Sequence, residues 1–238
     1  MELMSGIQGI RLPERLDTLS VARLSEELVT ALGSAAPVLG LTGATDQVFC
    51  LGLALDASHD GITETRAFAD LLLALHRAGK PLMAVVDGQA IGGGLGLAAA
   101  CDWVIATDRS TFALPELLWG LVPAIIWPVV ADRMAPHVAR HWTISAHTRG
   151  AAEALTTGLV DDVVAPDQLS GAVRRAQRML GRLEPGALVR FRAWARESQG
   201  EALPRALTRG AEITAALLHS PPARERWATF AAGEAPWR

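Results

Sequence analysis

Three short, unbroken apolar runs constrain this chain most: Pro37-Val-Leu-Gly-Leu-Thr42, Pro81-Leu-Met-Ala-Val-Val86 and Trp103-Val-Ile-Ala106. Each is bounded by turn residues and lacks the alternation of a strand with one wet face, so each reads as a strand buried on both faces. Between the first two, residues 63–78 carry Phe68, Leu71, Leu72 and Leu75 at helical spacing, and between the second and third lies a helical stretch over 93–100. An earlier helix over 20–32 aligns Val21, Leu24, Leu28 and Leu32 and stops at Gly33, a residue suited to the position after a helix. The order β-α-β-α-β with short links predicts parallel strands joined by right-handed crossovers, and hence an α/β core. Downstream, 160–164 reads as a strand before a helix over 166–183. From residue 184 the text is arginine-rich and helical, broken at 198–200 and at Pro221-Pro222. The expected division is a core over 1–183 and a helical C-terminal region over 184–238.

The chain has 238 residues, half of them hydrophobic and a fifth charged, which suits one sizeable core and excludes disorder as the main state. A net charge of −3 gives no general attraction to nucleic acid or to an anionic membrane surface, so neither is an expected partner. Lys80 is the only lysine, and tyrosine is absent, which excludes any mechanism needing a phenol. Cys50 and Cys101 make no disulfide framework and no metal-type spacing; both sit in apolar runs and read as inert buried thiols. The N-terminal text lacks the pattern of a secretory leader, and no apolar run approaches the ~20 residues of a membrane span. A cytoplasmic protein without a metal site is the expectation.

Two glycine-bearing turns follow apolar runs: Val48-Phe-Cys-Leu-Gly52-Leu53, and Asp87-Gly-Gln-Ala-Ile-Gly92-Gly93-Gly94, which opens a helix. Backbone without Cβ lets a ligand approach amide N–H groups, and a helix N-terminus favours negative charge, so an oxyanion suits this place. The spacings of phosphate-binding loops are absent. The same glycines also read as a device for tight helix-to-sheet packing, and Glu116 after Pro115, taken alone, reads as a helix-start residue.

These segments match, in order and spacing, the crotonase or enoyl-CoA hydratase/isomerase superfamily. The resemblance runs through Leu39-Gly-Leu-Thr-Gly43, the two glycine turns, Ala100-Cys-Asp-Trp-Val-Ile-Ala106, Phe112-Ala-Leu-Pro-Glu116-Leu-Leu-Trp-Gly120 and Ala151-Ala-Glu-Ala-Leu-Thr-Thr-Gly-Leu-Val-Asp161. It implies a ββα spiral core with a C-terminal helical oligomerisation region, forming a homotrimer or hexamer. It also implies an acyl thioester on a phosphopantetheine arm, with no other cofactor, whose carbonyl is held by the amides of Leu53 and Gly93. Gly52, Ala54 and Gly92 would flank that carbonyl. The family's hydratases use two glutamates; here the first position is Gly96, and Glu116 remains as the acid/base.

The run 115–130, the segment near Phe191-Arg-Ala-Trp194 and Gly233-Glu-Ala-Pro-Trp237 resemble one subgroup, the dehydratases of polyketide β-branching cassettes. These remove water from 3-hydroxy-3-methylglutaryl on an acyl carrier protein, and commonly have glycine where this chain has Gly96. The implied substrate is that thioester, on a carrier protein or on coenzyme A. Arg66, which also reads as an ordinary loop charge, would meet its distal carboxylate, and Trp119 and Trp127, flanking Ala124, would wall the acyl pocket or else pack in the core. The lysine of the partner decarboxylases is replaced by Leu55. Where members have an aspartate directly after the first amide donor, this chain has Ala54, with Asp56 two positions on. His59, Asp60 and Glu64 read as ordinary loop charges. The alternatives are an isomerase of enoyl thioesters, which also needs one carboxylate, and a catalytically silent scaffold.

Overall fold

The computed structural model describes residues 8–54, 61–198 and 202–232. The chain runs through β1 (Gln8–Arg11), α1 (Thr18–Gly33), β2 (Leu39–Thr42), β3 (Val48–Cys50), α2 (Ile62–His76), β4 (Leu82–Val86), β5 (Gln89–Ile91), α3 (Gly93–Ala99), β6 (Trp103–Thr107) and β7 (Thr111–Ala113). It continues with α4 (Trp127–Arg133), α5 (Pro136–Ser145), β8 (Arg149–Gly150), α6 (Ala151–Thr156), β9 (Asp162–Val164), α7 (Leu169–Leu180), α8 (Pro185–Ser198), α9 (Ala202–Leu218) and α10 (Pro221–Ala231).

The three apolar runs become β2, β4 and β6 of one all-parallel sheet ordered β1-β2-β4-β6-β9. Every residue of β4 is buried, and its two faces serve different cores. Met83 and Val85 pack with Val38, Ile105 and the apolar face of α7, while Leu82, Ala84 and Val86 point into the main core with Phe68, Leu72 and Leu97. Covering on both sides is why the run does not alternate.

A second sheet, β3-β5-β7-β8, lies beside the first; its first three strands are parallel and β8 is antiparallel. The chain reaches it by turning a corner after each long strand, giving the repeated unit β2-β3-α2 and β4-β5-α3. The corners are stacked by short polar bonds. Ser110 donates its hydroxyl to the Val86 carbonyl (2.9 Å), the Thr107 hydroxyl donates to Asp87 (2.7 Å), and Arg109 grips both oxygens of Asp87 at 2.8 Å. Gly88, at φ +102°, passes so close to Gln47 that a Cβ would overlap its backbone.

The helices after residue 184 divide into two kinds. The α8 helix leaves Val189, Phe191 and Trp194 exposed, while its Arg192 reaches in to the Ala78 carbonyl and the Asp102 carboxylate. By contrast, α9 lies along α2, with Leu207 and Ala211 inside the main core and Leu218 over Gly61. Gly210 brings α9 against the carbonyl of Ala124 where any Cβ would collide. Thus α9 packs on α2 and α4 and contributes to the main core. Its polar breaks hide this in the sequence, because a stripe of Leu207, Ala211, Thr214 and Leu218 shows only that the helix has an inward face.

This packing predicts that Leu207→Ala lowers stability by ~2–5 kcal/mol in equilibrium denaturation, as a cavity in the main core would. Val189→Ala on exposed α8 should change it by less than ~0.5 kcal/mol. Equal effects would place α9 outside the core.

Candidate active site

The second glycine turn places the N-terminus of α3 against the turn that follows β3. Gly94 packs on the carbonyl of Cys50 with no room for a Cβ, and a Cβ on Gly52 would stand 2.8 Å from the Gly93 nitrogen. Gly52 at φ +82° and Gly92 at φ +52° both hold backbone conformations that side chains disfavour. Two amides are left pointing the same way by this arrangement. Leu16 donates to the Gly52 carbonyl (2.9 Å), and Ala54 donates to the Leu16 carbonyl (2.7 Å). In a parallel ladder this pairing turns the N–H of the intervening Leu53 to the opposite side. Gly93 is the first residue of α3, so its N–H has no partner within the helix.

Glu116 opens a 3-10 turn, Glu116–Trp119, directly after Pro115. The turn ends at Gly120, φ +72°, and is held from outside by Arg226, which donates to the Leu118 carbonyl at 2.8 Å. One carboxyl oxygen of Glu116 would lie 3.0 Å from a Cβ on Gly92, so the carboxyl stands beside the two amides. Its other oxygen is buried without a hydrogen-bond partner. Burial pushes the Glu116 carboxyl up from 4.5 to about 7, offset in part by a backbone hydrogen bond within the residue.

All these groups line one cavity of about 310 Å³. Gly52, Leu53, Gly92, Gly93, Glu116 and Trp119 meet on its wall. Ala54, Arg66 and Ala124, expected there, do not. Ala54 is tied to Leu16, Arg66 is exposed on the outer side of α2, and Ala124 faces α9. Trp127 packs on the main core instead. Asp56, His59 and Asp60 lie outside the described residues, as do Leu55 and 233–237.

Sequence reasoning missed several wall residues. Trp227 of α10 stacks on Trp119 at 4.8 Å between ring centroids, and Phe230 meets Trp119 edge-on at 4.7 Å, forming an aromatic side to the cavity. Thr214 of α9 also lines it, as does Arg15, the only cationic side chain on the wall among the described residues. Ile126 fills the space over Gly96, where a Cβ would run into its side chain, so the place of a second carboxylate is occupied by hydrocarbon. Glu116 is the only carboxyl on the described wall.

Both thiols are buried, and burial pushes Cys50 up to about 11 and Cys101 well above the usual thiol range; neither is a nucleophile at neutral pH. The described residues contain no cluster of three or more metal-ligating side chains, and no described helix is long and apolar enough to cross a membrane. The arrangement is a mostly apolar chamber with two convergent N–H donors and one protonatable carboxyl among the described residues. It suits removal and return of a proton on carbon next to a carbonyl.

Comparison with known proteins agrees with this geometry. The chain is 33% identical over 156 residues to a carnitinyl-CoA dehydratase of Salmonella arizonae and 31% identical over 156 residues to one of Escherichia coli K12. Each alignment covers 62% of this chain and 59% of the relative, less than two thirds of its length. Among solved structures, an enoyl-CoA hydratase from Mycobacterium avium superposes with a TM-score of 0.86 at 29% identity, covering 98% of this chain and 94% of that one. A Bacillus subtilis protein described as a polyketide biosynthesis enoyl-CoA hydratase gives 0.83 at 22% identity over 94% and 92% of the two chains, a likeness of fold. The model of the enoyl-CoA hydratase/isomerase family matches residues 4–232, a span that holds every described residue and every wall residue named above, and the chain belongs to that family.

Proposed function

We propose that the protein is a hydro-lyase that removes water from a 3-hydroxyacyl thioester, with Glu116 as its one acid/base and the amides of Leu53 and Gly93 as its oxyanion hole. The observation that carries this reading is the buried Glu116 carboxyl, alone on the described wall and beside two unspent N–H donors. The thioester carbonyl accepts from both amides. The Glu116 carboxylate takes the proton from the carbon next to the carbonyl, and the electron pair moves into the enolate. As the enolate collapses, the bond from C3 to its hydroxyl breaks, and Glu116 returns the proton so that water leaves and a double bond remains. A single shuttle requires both steps on one face of the substrate. Two aimed donors in a low-dielectric site are worth several kcal/mol at the enolate. The reaction uses no cofactor beyond the pantetheine arm of its substrate.

The acyl group we propose is 3-hydroxy-3-methylglutaryl, carried by an acyl carrier protein or coenzyme A. Its support is the sequence likeness over 115–130 together with the hydrocarbon filling over Gly96. The distal carboxylate is assigned to Arg15 in place of Arg66, since Arg15 is the cation on the wall among the described residues. The exposed face of α8, with Phe191 and Trp194, is the surface we assign to contact between copies in a homotrimer or hexamer.

Mass spectrometry of 3-hydroxy-3-methylglutaryl on a carrier protein, and in parallel on coenzyme A, tests the reaction. Wild type should remove one water and Glu116→Gln should remove none. A shifted double bond in an enoyl thioester without water loss from the hydroxyacyl one would replace the lyase by an isomerase; no change in either would favour a scaffold.

Glu116 gives a second test through pH. Proton abstraction needs the carboxylate, so kcat/KM should rise with pH and level off above about 7. Stability moves the opposite way. Between pH 4.5 and about 7 the folded chain keeps a proton on Glu116 that the unfolded chain releases, so stability falls as pH rises through that window, by at most about 3 kcal/mol. Thermal unfolding should therefore show Glu116→Gln more stable than wild type at pH 8, with the gap closing at pH 4.5. A flat pH–rate profile together with equal melting at both pH values would remove Glu116 from the role.

A further inference from the structure

Thr214 is 5% exposed, lines the cavity, and its hydroxyl has no hydrogen-bond partner. Its environment makes this unusual. It stands in the inward stripe of α9 with Leu207, Ala211 and Leu218, all apolar and buried. A helical threonine ordinarily satisfies its hydroxyl on the carbonyl four residues back. Thr30, Thr65, Thr143, Thr156, Thr208 and Thr229 all do so in this chain, at 2.7 to 3.1 Å. The Thr214 hydroxyl makes no such bond to Gly210. An unpaired buried hydroxyl is costly, and a buried polar group without a partner calls for one that arrives from outside.

The position of α9 says which part of a ligand meets it. Gly210, one turn before Thr214, is pressed against Ala124 and Ile125, and the adjoining Ile126 is the side chain that fills the space over Gly96. Thr214 therefore reaches the chamber on the side of Ile125 and Ile126. The thioester oxygen belongs to the amides of Leu53 and Gly93, and the proton in transit belongs to Glu116. Beside these, Leu121, Ile125, Ile126 and Phe230 give the wall hydrocarbon, and Arg15, Gln89 and the two indoles are its other polar side chains among the described residues.

We infer that Thr214 holds the oxygen on C3 of the acyl group, as hydroxyl in the substrate and as water once the bond has broken. This rests on the hydroxyacyl reading above and deepens it: the site selects acyl groups with a hydroxyl at C3 over those without. Thr214 fixes the leaving oxygen toward Glu116, an orientation that two carboxylates would otherwise share and that one carboxyl, already engaged with the α-proton, cannot set alone.

The test uses two probes that differ only at C3, 3-hydroxy-3-methylglutaryl-CoA and 3-methylglutaryl-CoA. Their binding is measured by calorimetry in the Glu116→Gln chain, where turnover does not intervene. The hydroxylated probe should bind more tightly, and adding Thr214→Val should erase about tenfold of that preference, the weight of one hydrogen bond. Affinity for the deoxy probe should stay unchanged, and Thr214→Ser should keep the preference. Valine suits the apolar stripe, so its melting temperature should match or exceed the parent's. A preference untouched by valine, or equal weakening of both probes, overturns the assignment.

The two readings fail separately. A chain that shows the preference, loses it with valine, and removes no water retains Thr214 as a specificity residue and refutes the lyase. A chain that removes water equally well with Thr214→Val retains the lyase and refutes this inference. Binding of neither probe counts against both.

Discussion

The contact on which this molecule turns is the close passage of the Cys50–Leu53 backbone over the first turn of α3. Gly94 meets the Cys50 carbonyl, and Gly52 meets the Gly93 nitrogen, at separations that admit no side chain. That one approach joins the second sheet to the helix behind it, and it aligns the N–H groups of Leu53 and Gly93 toward the same space. Packing and chemistry therefore draw on the same atoms. The two readings of the triple glycine, tight packing and anion binding, are not rivals here, because the tight packing is what sets the two donors side by side.

A second constraint comes from the other side of the chamber. The 3-10 turn that carries Glu116 is short and has no internal helix to hold it. It is braced by α10 through Arg226 at Leu118, through Ala223 against Gly120, and through the stacked rings of Trp227 and Trp119. Trp227 and Phe230 of α10 also line the cavity that holds Glu116, so a helix far away in sequence completes the chamber around the carboxyl.

This division explains what was legible in the sequence. The strands β2, β4 and β6 and the helices α1, α2 and α3 announce themselves because each is long enough for its pattern to be distinct, and their boundaries agree to within a few residues. The second sheet does not, since β3, β5, β7 and β8 have three residues or fewer and no period can be read from so few. At the site, Gly52, Leu53, Gly93 and Glu116 stand out because glycine turns and a proline–glutamate pair are local signals. Thr214, Trp227 and Phe230 carry no such signal. A threonine in a helical stripe and two aromatics near a double proline are compatible with any buried surface, and only the fold-back of α9 and α10 brings them to the cavity. Arg66 shows the converse error: nearness in sequence to the first donor suggests a place on the wall, but the turn of α2 carries the side chain outward.

The bracing of Glu116 by α10 also bears on the birth of the protein. Arg226 and Leu118 are 108 residues apart, so the ribosome completes the turn that bears Glu116 long before it makes the helix that encloses it. Domains emerge from the N-terminal end at a few to twenty residues per second, so that interval lasts on the order of five to twenty seconds. Through that interval the turn lacks both the Arg226 bond and the Trp227 stack, so the cavity wall is complete only once α10 docks.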